Sequence, residues 1–98
     1  VAQWAKTLAL ELGQFGITVN NILPGYTATS RLQDLAESKA KSSGNSVKQI
    51  NKSWTENIAL KRLGKPEEIA SAIAFLASDS ASFINGHNLT LDGGRISG

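Results

Sequence analysis

The sequence predicts an α/β chain, the C-terminal part of a sheet protein, and three observations predict it. Residues 1–13 carry an amphipathic helical pattern that passes through a short glycine-containing loop into an apolar, strand-like run at 17–23. Pro66-Glu67-Glu68 opens a second, more apolar helix. His87-Asn88-Leu89-Thr90-Leu91 then alternates as a strand and closes at Asp92-Gly93-Gly94. A helix, a glycine loop and a buried strand make half of a βαβ unit, whose other half is expected upstream.

In the first helix Val1, Trp4, Ala5, Leu8 and Leu12 recur at three- and four-residue steps, and Ala2, Ala9 and Leu10 widen the apolar face. Gly13 is a natural stop, and Gly16 suits a tight entry into the next strand. The run Ile17, Val19, Ile22, Leu23 is nearly continuous, as in a strand covered on both faces. It ends at Pro24-Gly25, followed by Tyr26, Thr27 and Thr29, all able to hydrogen-bond. In open α/β sheets ligands sit outside the carboxyl ends of strands, so this stop is a candidate ligand edge. As a bare pattern, Pro-Gly after an apolar run also describes a simple turn.

Ser30-Arg31-Leu32-Gln33 matches a capping box, with a thin stripe of Leu32, Leu35 and Ala36 behind it. The polar, glycine-containing stretch Ser38 to Ser46 reads as loop or frayed helix. A second capping box at Ser46-Val47-Lys48-Gln49 starts a clearer stripe of Val47, Ile50, Trp54 and Ile58. Residues of about 30–60 thus form a two-helix excursion with a flexible tip, of a size usual for lids and binding elements. After Pro66, the residues Ile69, Ala70, Ile73, Ala74, Leu76 and Ala77 are expected to build a closely packed face up to about Ser78. Phe83-Ile84-Asn85-Gly86 reads as a turn, and His87 as a surface or hydrogen-bonding residue.

Ninety-eight residues with 41% hydrophobic and 18% charged content describe one ordinary globular domain at most. The net charge of +2 comes without a dense basic run, which argues against a nucleic-acid partner. With no cysteine and one histidine, there is no thiolate nucleophile, disulfide or Cys- or His-rich metal site, and a reducing, cytoplasmic setting is expected. No apolar stretch approaches the roughly 18 residues of a membrane span. The chain lacks an initiator methionine and opens in mid-helix, so it is expected to be a fragment of a larger protein.

Several motifs in order resemble the short-chain dehydrogenase/reductase family. Lys6-Thr7-Leu8-Ala9-Leu10-Glu11-Leu12 resembles its central interface helix, and Gly16 through Gly25 (Gly-Ile-Thr-Val-Asn-Asn-Ile-Leu-Pro-Gly) its sixth strand and cofactor turn. Arg62 through Ala70 (Arg-Leu-Gly-Lys-Pro-Glu-Glu-Ile-Ala) and Phe75-Leu76-Ala77-Ser78-Asp79 resemble its last helix. Ile84-Asn85-Gly86 through Leu91-Asp92-Gly93-Gly94 resembles its final strand and closing turn. The likeness covers essentially the whole chain. It implies that residues 1–98 are the C-terminal part of a single Rossmann-type domain, a doubly wound parallel sheet that binds NAD or NADP.

The resemblance implies that Pro24 and Gly25 let the backbone approach the nicotinamide, that the Thr27 backbone bonds its carboxamide, and that the Thr29 hydroxyl reaches the cofactor near the carboxamide or phosphates. Many family members carry isoleucine or valine at position 27, a change that preserves a backbone contact, so the resemblance does not require a side-chain role for Thr27. Residues 30–58 match the substrate loop, with Leu32, Leu35, Ile50 and Trp54 either an apolar wall over the substrate or the anchor of the loop. The family's catalytic serine and Tyr-x-x-x-Lys pair are not in this chain: Tyr26, its one tyrosine, is followed four residues later by Ser30. They are expected upstream, with the glycine-rich phosphate turn. The parent is therefore expected to interconvert an alcohol and a carbonyl by hydride transfer, like a 3-oxoacyl carrier-protein reductase or a sugar or secondary-alcohol dehydrogenase. The chain alone is expected to be inactive. The alternatives are a non-catalytic relative kept as a scaffold, and an assembly module. Helix 1–13 and the 66–78/87–91 surface match those through which the family forms dimers and tetramers.

Overall fold

A computed structural model describes residues 2–95 and divides them into two compact units, residues 2–23 with 67–90, and 24–66 with 91–95. Val1, placed in the first apolar stripe by its spacing, lies outside the described residues.

The first unit opens with α1 (Ala2–Leu12), which tightens into a 3₁₀ turn over Gly13–Phe15 and ends at Gly16 with φ 76°. That left-handed angle suits glycine and completes the expected stop. The inward face of α1 is made of small residues, Ala5 and Ala9, 8% and 2% exposed, while Trp4 and Leu10 stand open at 73% and 75%. Small residues let the turn at Asn85-Gly86 come close: a Cβ on Gly86 would lie 3.5 Å from the Ala9 Cβ.

The strand from this unit differs from expectation. Pairing begins only at Asn21, so β1 is Asn21–Pro24, beside β2 (Asn88–Leu91). Asn21 N–H donates to His87 O and Gly25 N–H to Leu91 O, both at 2.9 Å. The two bonds advance in step, which makes the pair parallel. Residues 17–20 are instead held by asparagine side chains. Asn85 accepts from Val19 N–H and donates to Ala9 O, each at 2.9 Å, joining the approach to β1 with α1. Asn20 accepts from His87 N–H (2.9 Å) and donates to Ile84 O (3.1 Å), and Asn21 donates to Asn88 Oδ1 (2.9 Å).

Nor is the run covered on both faces. Ile17 and Leu23 are 47% and 44% exposed, because among the described residues only β2 pairs with β1 and nothing is layered over these side chains. The expectation for the last helix fails in the same way. Helix α4 (Pro66–Leu76) starts at the proline with Glu67 and Glu68 in its first turn, but it ends two residues early and has no buried residue. Ile69, Ala72 and Leu76 are half-buried, whereas Ile73 and Phe75 remain open. Its apolar face is only partly covered by the described residues.

The second unit is the excursion between β1 and α4. Helix α2 (Ser30–Ser43) is capped by Thr29, whose side chain accepts from Leu32 N–H at 3.2 Å, so the cap stands one residue before the expected Ser30. Gln33 then reaches forward to Glu37 instead of back. The helix also continues through Ser38–Ser43, part of the stretch expected as loop or frayed helix, because Ala36 is fully buried and Ala40 packs beside the same core. Gly44, at φ 76°, ends it. Helix α3 (Val47–Glu56) carries the expected capping box: Ser46 accepts from Gln49 N–H (3.1 Å) and Gln49 Oε1 accepts from Ser46 N–H (2.8 Å). Ala36, Ile50 and Trp54 form the core between the two helices, with Tyr26, Leu32, Ala40 and Val47 packed around it. No helix among the described residues is long and apolar enough to cross a membrane.

Candidate functional site

The site lies wholly within the second unit, where β1 stops. Pro24 ends the strand, and Gly25 is fitted against the turn that follows β2. A Cβ at Gly25 would fall 2.8 Å from the Asp92 Cβ and 2.9 Å from its Cα. Real Cβ contacts do not come so near backbone, so glycine is required here by close approach and not by a left-handed angle.

Past Gly25 the chain is clasped to the far end of the excursion. Gly64 N–H donates to Tyr26 O (2.9 Å) and Ala28 N–H donates to Gly64 O (2.8 Å), a short parallel bridge between Thr27 and Gly64. The Thr27 hydroxyl donates to Gly25 O at 3.1 Å, and Thr27 O accepts from Thr29 N–H at 2.8 Å. Local bonds thus hold the turn from Gly25 to Thr29 in one shape, and Thr29 starts α2 from the same place.

Against this turn opens a cavity of about 690 Å³, lined by Pro24, Gly25, Tyr26, Thr27, Thr29, Arg31, Leu32, Asp34 and Leu35. All four residues singled out for cofactor contact, Pro24, Gly25, Thr27 and Thr29, meet here, together with Leu32 and Leu35 of the substrate loop. Ile50 and Trp54 do not join them. Both are buried to 8% exposure against Ala36, on the other side of the α2–α3 interface, and they anchor the loop. The two that line the cavity sit on α2, one turn apart with Arg31 and Asp34, so the wall mixes apolar and charged groups.

Tyr26, expected at the ligand edge only as a hydrogen-bonding residue, lines the cavity, and its ring stacks on Trp54, centroids 5.3 Å apart and planes 18° from parallel. The only sequence signal for this is an aromatic residue directly after the strand stop. Its partner lies on a different helix, which spacing does not reveal. Among the described residues no cluster of three or more His, Asp or Glu side chains could hold a metal ion.

The donor set fits a dinucleotide's carboxamide edge: two threonines, a rigid backbone turn and a glycine with no side chain in the way. Comparison with known proteins gives the family. A family model described as enoyl-(acyl carrier protein) reductase matches residues 1–95. Among curated relatives, a short-chain reductase of Streptomyces niveus, NovJ, is 38% identical over 97% of this chain and 35% of its own length. The 3-oxoacyl acyl-carrier-protein reductase FabG of Buchnera aphidicola is 44% identical over 91% of this chain and 32% of its own. Among solved structures, the L-sorbose reductase of Gluconobacter frateurii, complexed with NADPH and L-sorbose, superposes with a TM-score of 0.89 at 33% identity over 99% of this chain and 37% of its own. A short-chain dehydrogenase family protein of Francisella tularensis gives a TM-score of 0.91 at 35% identity, covering 95% of this chain and 38% of its own. The chain spans about a third of the length of the curated relatives it matches.

Proposed function

This chain belongs to the short-chain dehydrogenase/reductase family, and from that premise we propose that its parent protein is an NAD(P)-dependent oxidoreductase interconverting an alcohol and a carbonyl. The observation that carries the proposal is the single cavity in which the strand stop, the two threonines and the first turn of α2 converge. In this reading the segment supplies the nicotinamide edge and the substrate lid. The serine, tyrosine and lysine that handle the proton lie in residues upstream of Val1, and the 98 residues alone are inactive.

Each residue has a stated task. Gly25 keeps the strand end pressed on Asp92, and Thr27, bonded to Gly25 O, locks the turn so that its backbone faces a carboxamide in one orientation. A bound nicotinamide cofactor supplies or accepts the hydride. The Thr29 side chain serves twice, capping α2 and offering a hydroxyl to the same ligand. Leu32 and Leu35 give the carbonyl substrate an apolar wall, while Ile50 and Trp54 hold that wall from behind. The named activities of the relatives point to 3-oxoacyl or sugar-type carbonyls as substrates, and the sorbose reductase complex favours NADPH over NADH. The open side chains of the first unit, Trp4, Leu10, Ile73 and Phe75, support a homodimer or homotetramer assembled through α1 and the α4/β2 surface.

The test is NADPH and NADH oxidation by the parent protein across a panel of carbonyls, with the residues before Val1 determined alongside. Turnover together with an upstream Tyr-x-x-x-Lys bears the reading out. An intact protein without that motif and without turnover is a scaffold instead.

A further inference from the structure

Tyr26 is held far more firmly than a turn residue needs to be. Its carbonyl is already fixed by Gly64 N–H. Its ring is stacked on the buried Trp54, and the Arg95 guanidinium carbon lies 5.1 Å from the ring centre. Arg95 in turn is placed by an antiparallel bridge with Ile58. Ala59 N–H donates to Gly94 O (3.0 Å) and Leu60 N–H to Gly93 O (3.1 Å), continuing that pairing. The pairing tolerates no side chain at two positions. A Cβ on Gly93 or Gly94 would meet the Ile58 or Ala59 side chain at 2.9 Å, and both glycines have positive φ. Two segments distant in sequence thus converge on the ring of Tyr26, a residue that lines the cavity.

We propose that Tyr26 is a specificity-determining residue of this cavity, and that Trp54 and Arg95 are positioning residues that set how far its ring intrudes on the substrate. The proposal rests on the oxidoreductase reading above and deepens it. With Trp54 stacked on the ring and Arg95 over it, the ring edge is what remains for a ligand, and an aromatic edge beside Leu32 and Leu35 favours carbonyl substrates with an apolar body while its fixed position limits their bulk. A ring clamped by stacking and a cation cannot swing aside to admit a larger substituent, so loosening the clamp relaxes the limit.

The experiment uses the parent enzyme with two 3-oxo esters, ethyl acetoacetate and the bulkier ethyl benzoylacetate, and reads the ratio of their kcat/KM values. Tyr26→Ala is expected to shift the ratio toward the bulky ester by about tenfold, the scale on which a pocket discriminates small apolar differences. Arg95→Gln, at an exposed residue that leaves folding intact, is expected to shift it in the same direction by about threefold. Tyr26→Phe keeps the stack and the wild-type ratio. Because Arg95 acts through Tyr26, the double variant should match Tyr26→Ala alone. NADPH affinity, measured by fluorescence titration, should stay within about twofold of wild type throughout. A parallel fall with both esters, or an unchanged ratio in Arg95→Gln, overturns the assignment. Wild-type inactivity toward every carbonyl sinks the oxidoreductase reading and this one with it, whereas turnover with unchanged ratios sinks this one alone.

Discussion

Replacing Gly25 by alanine adds a single methyl group at the tightest point of the site. The new Cβ would stand 2.8 Å from the Asp92 Cβ and 2.9 Å from its Cα, and the second of these is backbone that cannot rotate away. Relief requires the end of β1 to move off the Asp92 turn, which lengthens the 2.9 Å bond from Gly25 N–H to Leu91 O. Overpacking of this kind costs about 1–3 kcal/mol and a weakened hydrogen bond adds about 1, so the variant should lose roughly 2–4 kcal/mol. For a protein of the relatives' size that corresponds to a Tm lower by about 4–12 °C. Circular dichroism melts of the parent enzyme, with and without saturating NADPH, measure it directly. The turn also carries Thr27 and Thr29, so NADPH affinity should fall with the melting temperature. Gly44→Ala is the informative control: nothing lies within 4 Å of its Cβ, and the cost there comes from φ 76° alone, about 1 kcal/mol. A Gly25→Ala melt within about 1 °C of wild type, with NADPH binding unchanged, would refute the close-approach argument.

Three further outcomes are expected. Thr29→Ala removes the bond to Leu32 N–H and should cost about 1 kcal/mol, most of which Thr29→Ser restores, as chemical denaturation will show. Asn85→Ala unpairs Val19 N–H and Ala9 O together and should cost about 1–3 kcal/mol without changing the substrate ratio defined above. The isolated 98-residue chain, with Trp4, Leu10, Phe15 and Phe83 at 69–101% exposure, should self-associate and bind a hydrophobic dye; a monodisperse monomer on size exclusion would contradict the reading of these faces.

Local chemistry was legible in the sequence wherever neighbours in sequence are also neighbours in space. Ser46 and Gln49 announce the start of α3, and Pro66 with two acids announces α4. Gly16 marks the turn out of α1. The strand stop at Pro24-Gly25 located the cavity, and its four expected contact residues share it with Leu32 and Leu35. What escaped the pattern depends on distant partners. Ser30-x-x-Gln33 is the better capping match, yet Thr29 holds the extended backbone that lets a side chain turn back on the helix. Ser38–Ser43 reads as loop or frayed helix because its polarity hides Ala36 and Ala40, which pack on the core shared with α3. Ile17–Val19 has strand composition, but its backbone bonds to Leu12 O, Gly86 N–H and the Asn85 side chain and not to a strand. The role of Tyr26 depends on Trp54 and Arg95, and no spacing rule joins residues so far apart.

The clasp between Tyr26–Ala28 and Gly64 has a consequence for how such a protein can change. Because the two ends of the excursion are tied to each other, everything between them hangs from one closed junction, like a cassette in a fixed socket. Lengthening a closed loop is thermodynamically mild, about 0.6 kcal/mol for each doubling, so α2 and α3 can be shortened, extended or exchanged while the junction stays in place. The turn from Gly25 to Thr29 and the helices α2 and α3 are then free to change at different rates, on either side of two hydrogen bonds.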